Sequence, residues 1–194
     1  MKKILLITLL LIPILGFSQT TKPVDGFLGI KFGSSKADVT DALKKRGATV
    51  LPPINPNDPN ILYFGNITLG HRPSKQLTVF FVDDKVYAAS FAFKAEVDDK
   101  TIDYYNDLVA DISGIYGAGK STKNFKDPYK EGDGYEITGI QQGDVNLYTD
   151  WYDANKNFVE ASINVKLYVF LLYRDAELGK MADAKQKAKE SSDY

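Results

Sequence analysis

The sequence has no cysteine, one histidine and one tryptophan. Missing thiols exclude disulfides, cysteine nucleophiles and the common cysteine-bearing zinc sites. The single histidine, His71, excludes paired-histidine metal sites, and no cofactor is expected. Neither sign of charge is in excess, with 24 Lys and Arg against 25 Asp and Glu. Such a balanced chain has no basic field to draw it to nucleic acid or to an anionic lipid surface. Long hydrophobic runs are missing too. The longest is too short for a bilayer, which takes about 20 residues of helix.

That run is nonetheless informative. Met1-Lys2-Lys3 forms a short positive start, Ile4 to Leu15 an apolar stretch, and Gly16-Phe17-Ser18-Gln19 a small-residue exit. This is the pattern of a secretory signal, with small side chains at −3 and −1 of a cut between Ser18 and Gln19. No cysteine follows it, so no lipid anchor is expected. The reading is an exported chain, periplasmic or extracellular, soluble after cleavage and without a membrane anchor. Loss of Lys2 and Lys3 moves its formal charge from −1 to −3. What remains has the length of one ordinary domain and can bury a core without staples.

Gly26 to Gly33 reads as an extended apolar lead-in, followed by Ser34 or Ser35 as N-cap and Asp38 in the first turn of a short helix. Ala37, Val39, Ala42 and Leu43 are its apolar stripe, and Gly47 its stop. Pro52, Pro53, Pro56 and Pro59 make 51–60 a loop. Strands are predicted over 61–69 and 76–82 on either side of a turn containing His71, and from Val86 to Phe93 after the Asp83-Asp84-Lys85 turn. The clearest periodicity is Ile102, Tyr105, Leu108, Val109, Ile112 and Tyr116, one face of a helix, with Thr101 as its cap. A loop over 117–134 and strands over 135–141, 145–152 and 158–173 complete the prediction. The Ala/Lys/Glu-rich tail from Asp175 reads as a frayed helix or disorder.

This order is helix, three strands, helix, three strands. Phe81-Val82-Asp83-Asp84-Lys85-Val86-Tyr87-Ala88-Ala89-Ser90-Phe91 also aligns with Trp151-Tyr152-Asp153-Ala154-Asn155-Lys156-Asn157-Phe158-Val159-Glu160-Ala161-Ser162-Ile163, each an aromatic strand, acidic turn and Ala-Ser strand. The expected fold is α+β: two tandem helix-plus-antiparallel-sheet units (19–97 and 98–174) packed as one compact domain, then a charged tail over 175–194.

Gly114-Ile115-Tyr116-Gly117-Ala118-Gly119-Lys120-Ser121 matches the P-loop letters. Phosphate binding needs a strand before that loop and a helix after it; here a helix precedes and none follows, so a helix stop is the better reading. Asp153-Ala154-Asn155-Lys156-Asn157 starts like a calcium loop but has Phe158 where Gly belongs and Asn164 where Glu belongs, and reads as a hairpin turn. His71 sits in a turn with no nucleophile motif elsewhere. The remaining signal is aromatic, 12 Tyr and 11 Phe. Strand alternation puts Tyr148, Asp150 and Tyr152 on one face and Thr149 and Trp151 on the other. An exposed tyrosine–acid–tyrosine row suits a protein or glycan partner.

The opening Gly29-Ile30-Lys31-Phe32-Gly33-Ser34-Ser35-Lys36-Ala37-Asp38-Val39-Thr40-Asp41-Ala42-Leu43 resembles that of small exported modules. They are the lipoprotein subunit of the outer-membrane barrel-assembly machinery and the repeats of the β-lactamase inhibitor proteins. The resemblance implies a helical piece on a small antiparallel sheet, in tandem in the inhibitors, and a binding module in place of an enzyme. This chain departs from both in having no cysteine, and no functional residue carries over. The expectation is an exported non-catalytic binding or envelope-interaction module. The alternative is a carboxylate-dependent envelope hydrolase acting on glycans.

Overall fold

The computed structural model describes residues 22–192; the signal segment and its cleavage point lie outside the described residues. The lead-in folds into a two-stranded ribbon, β1 (Gly26–Phe27) with β2 (Ile30–Lys31), which buries Phe27 and Ile30. Helix α1 (Lys36–Lys45) starts at Ser35, whose hydroxyl accepts from the Asp38 amide at 3.2 Å. It seats Val39 and Leu43 in the core.

The frame is one eight-stranded antiparallel sheet. Its members are β3 (Thr49–Leu51), β4 (Ile61–Gly65), β7 (Gln76–Val82), β8 (Lys85–Lys94), β9 (Lys120–Phe125), β10 (Val145–Tyr152), β11 (Phe158–Ile163) and β12 (Tyr168–Arg174). Between β4 and β7, the short β5 (Thr68–Leu69) and β6 (Arg72–Pro73) pair with each other. The sheet order is β3-β4-β7-β8-β12-β11-β10-β9. Each half of the chain supplies four strands running in sequence from edge to centre, where β8 meets β12. Helix α2 (Thr101–Tyr116) packs on β11 and β12, with Tyr105, Leu108, Ile112 and Tyr116 buried as the periodicity predicts. One core runs from Val24 to Tyr173 across both halves. The architecture is therefore α+β and compact.

Several expected elements differ. Residues 135–141 are not a strand: they lie in α3 (Glu136–Gln142), which packs against β10. A Cβ on Gly139 would fall 2.4 Å from the Val145 side chain, so this glycine is what lets the helix approach. Gly143 then stops it at φ 79°. The 117–134 loop contains strand β9, hidden because it is a polar edge strand; Lys120 and Lys123 suit such an edge. The 158–173 strand is two, β11 and β12. Asn164 breaks it, its side-chain oxygen accepting from the Lys166 and Tyr168 amides, both at 3.0 Å. Likewise 61–69 is interrupted after Gly65. Thr101 does not cap α2: it is the first helical residue, with its hydroxyl buried and unpartnered. Ahead of it, Asp98–Lys100 form a single 3₁₀ turn.

The tail is ordered as α4 (Ala176–Ser192), with Asp175 capping it through the Leu178 amide at 2.8 Å. The two hairpins aligned in sequence do not occupy matching places. β7–β8 are the third and fourth strands of their half counted from the edge, whereas β10–β11 are the second and third of theirs.

Asn157, buried in the β10–β11 turn, ties distant segments together. Its amide nitrogen donates to the Val24 carbonyl at 3.0 Å, and its oxygen accepts from the Ala176 amide at 2.8 Å. Replacing Asn157 by Ala leaves both backbone groups unpaired. We expect Asn157→Ala to cost about 1–3 kcal/mol in urea unfolding, with faster amide exchange at the start of α4.

Candidate functional site

The sheet has a core face and an open face. Along β10, Val145, Leu147, Thr149 and Trp151 point into the core, while Tyr148, Asp150 and Tyr152 point out, the parity read from sequence. The core side is fully occupied. Thr149 shares a 2.7 Å hydrogen bond with the Tyr105 hydroxyl and a 2.8 Å bond with that of Ser121, and the Trp151 indole donates to the Gly117 carbonyl at 3.0 Å.

On the open side the β10–β11 register sets Tyr148 opposite Ser162, Asp150 opposite Glu160 and Tyr152 opposite Phe158. The Tyr152 and Phe158 rings lie 5.6 Å apart. Phe170 and Leu172 extend the apolar character onto β12, opposite Ser162 and Glu160. Tyr148, Asp150, Phe158 and Glu160 are half-buried, and Tyr152 remains 56% exposed, so the patch is open to solvent.

Sequence reading found three of these residues and missed Glu160, Phe158 and Ser162. They lie on the next strand, and pairing them with β10 requires the hairpin register. The signal was available in the Asp153 turn. Asp153 Oδ1 accepts from the Asn155 and Asn157 amides at 2.8 and 3.0 Å, a turn that aligns Tyr152 with Phe158.

Asp150 and Glu160 form a like-charged cross-strand pair, an arrangement that destabilises a sheet. Burial pushes the Asp150 carboxyl above its ordinary range, with Lys120 opposing. Burial and then the charge of Asp150 do the same to Glu160, with the Ser162 hydroxyl opposing. The Tyr152 phenol is also raised, first by burial and then by Asp150, Glu160 and Tyr148. Neither carboxylate is in an ion pair among the described residues.

The other end of the open face is partly covered. Helix α4 lies against β7 and β8, tethered by Arg174 to Asp183 at 2.6 Å and by Lys185 to Asp83. Between it and the sheet lies a cleft of about 510 Å³, lined in part by Ile61, Phe80, Tyr87 and Asp183. It is remote from the Asp150–Glu160 pair.

The two motifs set aside in sequence have structural explanations. Gly117 ends α2 at φ 86°, and Lys120-Ser121 begin strand β9 where a P-loop would begin a helix. A Cβ on Gly119 would lie 2.6 Å from both Thr149 and Trp151, so this glycine admits core side chains. In the calcium-like turn, Asp153 Oδ2 accepts from the Val24 amide at 3.1 Å, leaving both its oxygens committed to backbone. No group of three or more His, Asp or Glu placed to hold a metal occurs among the described residues. His71 is exposed in the tight β5–β6 turn. No helix among the described residues is long and apolar enough to cross a membrane. No family model matches the chain, and neither a curated protein nor a solved structure matches it.

Two outcomes follow from this geometry. Gly119→Ala overpacks the Trp151 contact and should cost about 1–3 kcal/mol in urea unfolding. Gly114→Ala, a helix position with nothing within 4 Å of the added carbon, should leave stability unchanged or raise it by up to about 1 kcal/mol.

A third concerns pH. Both carboxyl groups bind their protons more tightly folded than unfolded. They therefore contribute stability that is complete below the unfolded carboxylate range, about pH 4, and is lost as pH rises through the raised folded values. Glu160→Gln should raise stability at pH 7 by roughly 0.2–1 kcal/mol and change it little at pH 3. Thermal unfolding across that range, with Lys120, Tyr148 and Tyr152 left in place, measures the difference.

Proposed function

We propose that residues 1–18 direct export and that the released chain is a binding or envelope-interaction module. Its contact surface is the β10–β11 end of the open sheet face, and its partner is a protein or glycan of the cell envelope. One observation carries this reading: Tyr148, Tyr152 and Phe158 crowd an open face around Asp150, while the opposite face of the same strand is consumed by the core. Tyrosine offers a large rigid contact area with a polar tip, which suits such a surface. The tandem-unit reading belongs here as well. It is supported by the sheet order, in which each half supplies four strands from edge to centre, with α1 in the first half and α2 and α3 in the second. The local hairpin alignment does not support it.

The Asp150–Glu160 pair favours a second reading, glycan hydrolysis by two carboxylates. Acid and base roles, however, need environments that push the two groups apart. Here burial is the leading cause for both and moves both upward. The pair also stands side by side on the open face of the sheet, in direct cross-strand register. Binding is the stronger reading.

The test uses the chain from Gln19 as bait in envelope extract, with a glycan array in parallel. We expect a partner or glycan that wild type retains and a Tyr148→Ser/Tyr152→Ser double variant loses. Full retention by that variant would place the contact surface elsewhere and end this reading. Turnover of an aryl glycoside that vanishes with Asp150→Asn would instead make the protein a hydrolase.

A further inference from the structure

The charges of the open face are unevenly compensated. Lys94 is held by Asp98 at 2.7 Å and by the Lys166 carbonyl at 3.0 Å, with its ammonium 5.3 Å from the centre of the Tyr168 ring. Arg174 is held by Asp183 at 2.6 Å and the Gly179 carbonyl at 3.2 Å, and lies 5.5 Å over the Tyr87 ring. Two cations of this face thus already sit between a carboxylate and a tyrosine. The β10–β11 end repeats the acid and the rings without a cation seated on a ring among the described residues. Asp150 and Glu160 face each other across the strands, Tyr148 and Tyr152 flank them, and neither tyrosine ring carries a cation among the described residues. Lys120, in register with Asp150 from the edge strand, acts on it through its charge but forms no ion pair among the described residues.

We propose that this end of the face is a receptor for a lysine or arginine side chain presented by a protein partner: the cation enters between Tyr148 and Tyr152 and is met by Asp150 and Glu160. The inference rests on the reading of this face as the contact surface and specifies what it contacts. Charge complementarity selects the occupant. A glycan would stack on the rings but would leave the repulsion of two adjacent carboxylates in place, whereas a cation removes that repulsion and gains the ring contact as well. A bare metal ion finds only two carboxylates here, and no third ligand of that kind is gathered with them among the described residues. The pair breaks a packing rule of sheets at a cost in stability, offset in part by the charge of Lys120 on Asp150 and the Ser162 hydroxyl on Glu160; such violations concentrate at functional sites.

The probe is the tripeptide acetyl-Gly-Arg-Gly-amide, titrated into the ¹⁵N-labelled chain from Gln19 and followed by NMR, with the citrulline tripeptide as the neutral isostere. Expected are shifts confined to the amides of Tyr148, Asp150, Tyr152, Phe158 and Glu160, weakened by added salt and absent with citrulline. An Asp150→Asn/Glu160→Gln variant should weaken binding about tenfold. That variant relieves a repulsion and is expected to be more stable than wild type, so its loss of binding cannot come from unfolding.

Equal shifts with citrulline, or with calcium chloride at matched ionic strength, would overturn the proposal. So would patch shifts given by an oligosaccharide and not by the arginine peptide, an outcome that leaves the contact-face reading intact. Patch shifts that track protein concentration without any peptide would make the occupant a second copy, and the proposal would fall. If the Tyr148→Ser/Tyr152→Ser variant keeps its envelope partner, the contact-face reading itself fails, whatever the peptide does.

Discussion

The pairing of β8 with β12 is the constraint on which the rest of the structure depends. Its register runs from Tyr168 opposite Lys94 to Arg174 opposite Ala88, and it joins strands from the two halves of the chain into one sheet. Without it there would be two four-stranded ribbons, each with a long exposed edge in need of cover. With it, the unpaired edges move out to β3 and β9, which are short or polar. The core-side residues of this seam are among the most buried in the molecule. Phe91 and Phe93 pair with Leu171 and Val169, and Phe91 packs edge-on against Phe27 and Tyr173. The seam is therefore both the hydrogen-bonded centre of the sheet and the centre of the hydrophobic core.

A sheet this wide must manage two faces with few helices. Helices α1 and α2 cover the core side, while the open side is left to side chains of the sheet itself. On β8 that side carries Ala88, Ser90 and Ala92, beside Phe170 and Leu172 of β12, and further rings stand outward at Phe80, Tyr148, Tyr152 and Phe158. Large side chains on both sides of the small residues of β8 limit how much of each is wet. Most of these side chains are half-buried with no second layer over them. Only α4 crosses onto this side, and Gly179 is its one buried residue, so polar tethers hold it more than apolar packing does.

Much of this was legible because it is local. The α2 stripe, the Ser35 cap and the parity of Tyr148, Asp150 and Tyr152 follow from periods of 3.6 and 2 that need no tertiary information. What escaped depended on neighbours. Strand β9 is polar, and its pairing with β10 makes it a strand against its own propensity. Helix α3 looked extended because Ile137 and Ile140 are three apart with a glycine between, too short a stretch for either period to declare itself. The candidate site was half legible for the same reason. One strand was visible in the sequence, but Glu160 acquires meaning only when the hairpin sets it against Asp150.

That hairpin also explains why the site can be held in a fixed geometry at the end of a sheet. The β10–β11 turn begins one residue after Tyr152, and its two polar anchors reach outside the hairpin. Asp153 binds the Val24 amide, and Asn157 binds the Val24 carbonyl and the start of α4. The lead-in at one end of the chain and the helix at the other are thus fastened to the turn that sets the register of the patch. A slip of one residue in that register would move Tyr148, Asp150 and Tyr152 to the core side and bring Thr149 and Trp151 outward. The bonds of Thr149 to Tyr105 and of Trp151 to Gly117 oppose that slip from the other face. The arrangement on the open face, repulsive in itself, is held in place by interactions that lie behind and beside it. This is how a sheet can keep two like-charged carboxylates together where their own chemistry would separate them.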